Sequence, residues 1–419
     1  MWRHSLALVV ALGAAIPGWT TEAPDLRGHL KLQSLGVFYP DDSLLSDVLG
    51  DRTLDLQLDG RLVTSWDLGA WDVAADAQLV GQYGDAIEAT RELPAELQPY
   101  LRRLPDDALR VADLTHELTD RGRGAAVIRL DRLSVGFTGT AFSFRLGRQA
   151  ISWGNGLIYN PMDIVNPFDP AAVDTEYKTG DDMITAQWLM PSGNDLQAVV
   201  VGRRDPGTGE VSADAGTAAV KLHLFAGAWE LDLLAAEHWD DPVLAVGAVR
   251  SIGGGVWRGD VVATDSDHGT EVSAVTSYSS SWIWWERNCS GMVELHWNGF
   301  GQPGGAYAPE NLAGNPALLE RFLRGEVFTL GRAYLGLSAT VEVTPLLLVT
   351  PNAFVNLEDP SALLQVVVQA DLTQDLRLVA SASLPMGPDG SEFGGIESGL
   401  PGRTLGAGPQ LFVQLARYF

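Results

Sequence analysis

Residues 54 to 66 read LDLQLDGRLVTSW, and residues 71 to 83 read WDVAADAQLVGQY. In the first, Leu54, Leu56, Leu58, Gly60, Leu62, Thr64 and Trp66 fall on one side, and Asp55, Gln57, Asp59 and Arg61 on the other. In the second, Trp71, Val73, Ala75, Ala77, Leu79, Gly81 and Tyr83 alternate against Asp72, Asp76, Gln78 and Gln82. A period of two with one oily and one charged face is the signature of a β-strand at a boundary between two media. A soluble sandwich alternates in the same way, so length has to decide. Strands of soluble domains average about 5 to 6 residues, whereas a tilted strand crossing a bilayer needs about 9 to 11. Both runs reach the longer figure, and each ends in an aromatic ring of the kind that collects where hydrocarbon meets water.

The same reading along the chain places strands near 26–38, 51–66, 69–83, 124–137, 140–153, 182–190, 195–204, 216–225, 228–238, 242–251, 255–264, 271–280, 290–299, 328–343, 346–357, 362–370, 375–384 and 407–419. That is eighteen, an even number, with sixteen as the alternative should one weak strand and its partner be misread. Tight connections alternate with long ones at 84–123, 154–181, 300–327 and 385–406, an asymmetry found in outer-membrane barrels. The predicted fold is therefore all-β: a transmembrane, antiparallel, up-and-down barrel. Its last residues, QLFVQLARYF, alternate and stop on Phe419. A terminal strand ending in Phe resembles the signal read by the barrel-insertion machinery of the outer membrane. Arg417 breaks the apolar face two residues from the rim, where a long basic side chain can snorkel.

Bulk composition fits the same picture. The start, MWRHSLALVVALGAAIPGWTTEA, has a basic residue, a short apolar core and small residues, which together make a secretory signal over 1–23. That core is too short to cross a membrane as a helix. A single domain is expected from 24 to 419. The net charge of −25 excludes a nucleic-acid partner, because phosphates would repel it. The single cysteine, Cys289, excludes an internal disulfide.

A barrel of sixteen to eighteen strands encloses water, so its inward positions describe a wet wall. Asp55, Asp59, Asp72, Asp76, Arg129, Arg145, Glu294 and His296 belong to that wall, and Arg148 and Gln149 are expected to line the pore with them. After it comes NGLIYNPMDIVNPFDP, residues 155–170, whose three prolines forbid helix and ladder alike. Its Leu157, Ile158, Tyr159, Met162, Ile164, Val165 and Phe168 nevertheless need burial. The expectation is that this third long outer loop folds into the barrel mouth, with Asn160, Asp163, Asn166 and Asp169 turned to water. A rigid cap packed on the outer rim suits the same composition.

The run GRQ-xxx-WG from Gly147, followed by NP-x-D-xx-NP at 160–167, resembles a large group of porin-like outer-membrane barrels of Gram-negative bacteria. There is more distant similarity to alginate-export barrels. ELHWNGFG at 294–301 and NLEDPS at 356–361 fit the same resemblance, which spans about residues 124–419. It implies an outer-membrane pore in contact with membrane lipid and carries no catalytic assignment.

Other chemistry finds little footing. The chain has no G-x-S-x-G elbow, H-E-x-x-H, C-x-x-C or Walker motif. His223, His238 and His296 with Glu230, Asp232 and Glu294 could form a base–carboxylate pair, but no nucleophile accompanies them. No cofactor, metal or enzymatic activity is expected; Asp181-Asp182 and TDSDHG at 264–269 lack calcium-loop spacing. The expected function is a channel for small hydrophilic solutes with weak cation preference, narrowed by residues 154–181, in which acids on strands two and three face Arg129 and Arg145. A gated exporter or importer of a polysaccharide or apolar compound is the alternative, and a barrel enzyme a third. A homo-oligomer is compatible with all of these.

Overall fold

The computed structural model of the protein describes residues 25–92 and 104–419. The expected signal segment, 1–23, lies outside them. The first strands are β1 (Asp25–Phe38), β2 (Arg52–Leu68), β3 (Trp71–Gly84), β4 (Thr115–Arg121), β5 (Gly124–Thr138), β6 (Phe142–Gln149), β7 (Asp181–Leu189) and β8 (Asp195–Arg204). Then come β9 (Val211–Ala226), β10 (Trp229–His238), β11 (Asp241–Ile252), β12 (Gly255–Ser266), β13 (Gly269–Trp284) and β14 (Arg287–Trp297). The chain closes with β15 (Ala333–Thr344), β16 (Leu347–Asn356), β17 (Ala362–Asp371), β18 (Leu376–Met386), a two-residue hairpin of β19 (Ile396–Glu397) and β20 (Thr404–Leu405), and β21 (Gln410–Tyr418). Among the described residues four short α-helices decorate the connections: α1 (Leu44–Leu49), α2 (Asp85–Glu92), α3 (Pro309–Ala313) and α4 (Pro316–Arg324).

Among the described residues eighteen strands form the wall, each antiparallel to its neighbours, in chain order with β4, β19 and β20 left out. Hydrocarbon cannot satisfy peptide groups, so a spanning sheet must close and leave no edge. Closure is made by β21, which pairs with β18 on one side and β1 on the other. The last peptide completes it: Phe419 and Gly28 exchange backbone hydrogen bonds at 2.9 and 3.1 Å.

Alternation sorts the faces. On β1, Leu26, Leu30 and Leu32 are exposed on the outside, while His29, Lys31 and Gln33 are buried within. Aromatic rings gather toward one rim, with Trp71 edge-on to Phe137 and Phe144. Arg250 faces outward there, and its guanidinium lies over the Trp229 ring. Asp25, the first described residue, and Phe419 lie at the rim that carries the tight turns. The long connections lie at the other, outer rim. At the outer rim the two-residue turn Trp239-Asp240 has φ of 55° and 66°, the doubly positive pair that matches strand twist.

The strand reading holds around the whole wall; β9 starts at Val211 and β13 runs to Trp284, each several residues beyond the expected range, and three further differences bear on the site. First, the strand expected over 140–153 stops at Gln149. Gly147 has φ +123°, and an added Cβ there would sit 2.2 Å from the Leu133 carbonyl, so the strand bends where only glycine fits. Second, the strand expected from 328 starts at Ala333, after α3 and α4. Third, the connection 84–123 is not simply a loop. It contains α2 and β4, and β4 pairs with the outer end of β5.

That third difference repairs the wall. At 8 and 9 residues, β6 and β7 are short; at ~3.3 Å per residue and a tilt near 40° they rise only about 20 Å, against an apolar band of ~25 Å. Residues 107–121 close the gap above them. The backbones of Arg110 and Arg203 form an isolated antiparallel β-bridge, the Arg204 N–H donates to the Leu109 carbonyl at 2.9 Å, and the Ala112 N–H donates to Asp182 at 2.8 Å. Arg148 pins the patch by donating to Asp107 at 2.8 Å and to Asp182 at 2.9 Å.

Candidate functional site

Residues 150–180 leave the wall after β6 and return to it at β7. Their base is tied by one cation: Lys178 Nζ donates to both Asp163 oxygens at 2.6 and 2.7 Å and to the Ile151 carbonyl at 2.6 Å. Trp153 donates its ring N–H to Gln197 at 2.8 Å. Trp153, Met162 and Val165 pack as one apolar cluster with Met183, Val199 and Leu234. The three prolines prevent this stretch from continuing the ladder, and its oily side chains find cover against inward positions of the wall.

The far part of the segment meets strands well around the barrel. Glu294 lies between Val293 and Leu295, both exposed on the lipid face, so its carboxylate points inward. It accepts the backbone N–H groups of Leu157, Ile158 and Tyr159 at 2.8, 3.0 and 2.7 Å. Next to it the Tyr159 ring stacks on His296 with centroids 4.6 Å apart. Asn155 donates twice to Asp260 on β12, from its backbone at 2.6 Å and its side chain at 2.7 Å. Gln365 on β17 donates to the Ala171 carbonyl, Lys31 on β1 pairs with Asp174 at 2.7 Å, and the Tyr418 hydroxyl meets Glu176 at 3.0 Å. Tyr177 lies under the Arg61 guanidinium at 4.3 Å.

The expected site residues divide into wall pairs and loop residues. Asp72 and Arg145 are in contact at 2.6 Å. Arg61 bridges Asp76 at 3.5 Å and Asp131 at 2.9 Å, and Arg129 meets Asp131 at 3.3 Å. Acids and arginines therefore neutralise each other within the wall, where a field between opposed banks was expected; Arg61 reaches Asp76 on the next strand, and Arg61 and Arg145 reach across one intervening strand to Asp131 and Asp72, which leaves no gap. Asp55 accepts the Ala86 N–H at 2.9 Å, and Asp59 accepts Gln78 at 3.0 Å. Arg148 belongs to the seam under Asp107, and Gln149 donates to the Met183 carbonyl at 3.2 Å.

Two of the loop residues, Asp163 and Asn160, depart from expectation. Asp163 is buried against Lys178 and does not face water, because the ammonium fifteen positions on reaches back to it. Asn160 is turned inward as well, donating to the Trp153 carbonyl at 2.8 Å. Asn166 takes φ 50°, and Asp169 is solvent-exposed and caps the Ala171 N–H at 2.8 Å. Glu294 and His296 face inward but are covered by Tyr159 and its neighbours. Lys31, Asn155, Asp174, Tyr177 and Lys178 were missed by sequence reasoning. Scarcity was the available signal for two of them, since the chain has only three lysines.

A closed, water-enclosing barrel with a long outer segment held against its inner wall defines the class: a transmembrane β-barrel of porin architecture. The sequence matches no protein-family model and no curated protein. Solved structures share the fold. The OccAB2 protein of Acinetobacter baumannii superposes with a TM-score of 0.55 at 10% identity, over 96% of this chain and 99% of that one. A BenF-like porin from Pseudomonas fluorescens gives 0.54 at 10% identity, over 94% and 98%. OccK2 of Pseudomonas aeruginosa, solved in complex with glucuronate, gives 0.53 at 10% identity, over 96% and 99%.

Proposed function

We propose that this chain is a diffusion channel of the bacterial outer membrane for small hydrophilic solutes, and that residues 154–181 set its narrowest point. One observation carries the reading: the Glu294 carboxylate on β14 holds three successive backbone N–H groups of a segment that springs from β6, across the barrel interior. A strut anchored at both ends narrows a lumen without relying on loose side chains. Barrels of this strand count enclose an aqueous channel, and their lumen residues tune what passes. The ion pairs of the wall leave only weak ionic preference.

Swelling of proteoliposomes in neutral oligosaccharides of graded length tests this. Rates should fall steeply with solute size, and size-independent leakage would overturn the constriction. A plugged, substrate-gated transporter is the second reading, favoured by the segment's contacts with β1, β12, β14, β17 and β21 together. Protein that inserts yet passes no ions would select it.

A further inference from the structure

Below the strut the wall changes character. The register links Ser279, Met292, Ser338, Asn352, Gln365 and Ser383 into one lateral row running from β13 to β18, which the segment touches at Gln365 through the Ala171 carbonyl. The next row toward the tight-turn rim is Ser281, Ser290, Thr340, Thr350, Val367 and Ser381. Each residue in these rows alternates with a lipid-facing neighbour, as Ser338 does with Leu337, so both rows face the lumen. Neither row contains a charge. Across the barrel Lys31 is engaged by Asp174, Arg61 by Asp131 and Arg145 by Asp72, whereas Arg258 on β12 has no carboxylate partner among the described residues and donates to the Ser279 hydroxyl at the edge of the first row at 2.9 Å.

We infer that the solute is an uncharged, polyhydroxylated molecule of saccharide size, and that it travels along these two neutral rows. The inference rests on the channel reading above and names its substrate class. Hydroxyl and carboxamide groups each donate and accept hydrogen bonds, which matches a sugar hydroxyl that does the same. A carboxylate would need surplus donors and a free cation, and an ammonium would need surplus acceptors and a free anion. Beyond the edge where Arg258 meets Ser279, from Met292 to Ser383, the rows supply neither, and a charged solute loses hydration there without compensation. The outer vestibule above the strut is compatible in size, at about 480 Å³, and its Arg203 and Lys178 are held by Asp181 and Asp163.

The test is proteoliposome swelling with glucose, glucuronate and glucosamine, three molecules of nearly one size and different charge. Glucose should enter at least about threefold faster than either ion, as expected where a neutral polar wall sets selectivity. Glucuronate or glucosamine matching glucose overturns the inference. Asn352→Asp places a charge in the first row and should raise the glucosamine-to-glucose ratio and lower the glucuronate ratio; unchanged ratios in protein that still shows heat-modifiable gel mobility also overturn it. Should Asn352→Asp fail to fold, Ser338→Asp makes the same change one strand away. Failure of the channel reading looks different, since then no solute and no ion would pass.

Discussion

Replacing Glu294 with alanine should free the inner strut. Three backbone N–H groups lose a shared carboxylate at 2.7 to 3.0 Å. Hydrogen bonds to a charged group contribute about 1.5 kcal/mol or more each, and an orphaned buried donor adds its own desolvation cost. Lumen water recovers part of this, which leaves about 3 kcal/mol, or roughly a hundredfold shift toward the released loop. The Tyr159–His296 stack and the Asn155–Asp260 bonds remain, so the loop should loosen without leaving the barrel. Two measurements read the change. Hydrogen exchange at residues 157–159 should accelerate by about a hundredfold, and single-channel current should become larger and noisier. Glu294→Gln, which keeps an acceptor oxygen and loses the charge, should fall between. Unaltered exchange and current in Glu294→Ala would refute the anchoring role and the reasoning from it.

Four further outcomes are expected. Arg148→Ala leaves Asp107 and Asp182 without their shared cation and should cost about 3–5 kcal/mol, read as a lower temperature for the unfolding shift on gels. Burial pushes the Glu392 carboxyl, in the outer connection before β21, up to about 7. Its protonated form is the better bound, so its contribution is complete below the ordinary carboxyl range and lost as pH rises through 7; exchange near 388–396, corrected for intrinsic rate, should be greater at pH 8 than at pH 5, and Glu392→Gln should abolish the difference. Gly247→Val would put a Cβ 2.5 Å from Asp260 and 2.6 Å from Asn155, displacing the strut and raising conductance; an unchanged current would show the contact to be slack. Asp72→Asn releases Arg145 from its partner at 2.6 Å and should shift the permeability ratio toward anions by about twofold, measured as a reversal potential in a salt gradient.

The barrel was legible because hydrocarbon imposes a strict rule on every second residue. Leu54 and Leu56 against Asp55 and Gln57 reveal the face, the length and the medium at once. Strand β4 was not legible, because THELTDR pairs at the outer rim with both faces wet and so carries no apolar alternation. The end of β6 was hidden for another reason: it depends on Gly147 bending and on Asp107, forty-one positions upstream, receiving Arg148. Charge type was readable at Asp72, Asp76, Arg129 and Arg145, but partnership was not, since side-chain reach decides it, to the next strand for Arg61 and Asp76 and across an intervening strand for Asp72 and Arg145. Glu294 could be placed on the inward face from Val293 and Leu295. Its partners are backbone groups, which leave no trace in a side-chain pattern.

The most direct measurement is the current through purified protein inserted in a planar lipid bilayer, compared with a variant in which residues 155–169 are replaced by a short glycine–serine link. Discrete, ohmic steps are expected from the native chain, with steps several-fold larger from the variant. An inserted native barrel that conducts nothing, or a variant with steps of unchanged size, would contradict a channel narrowed by its own inner strut.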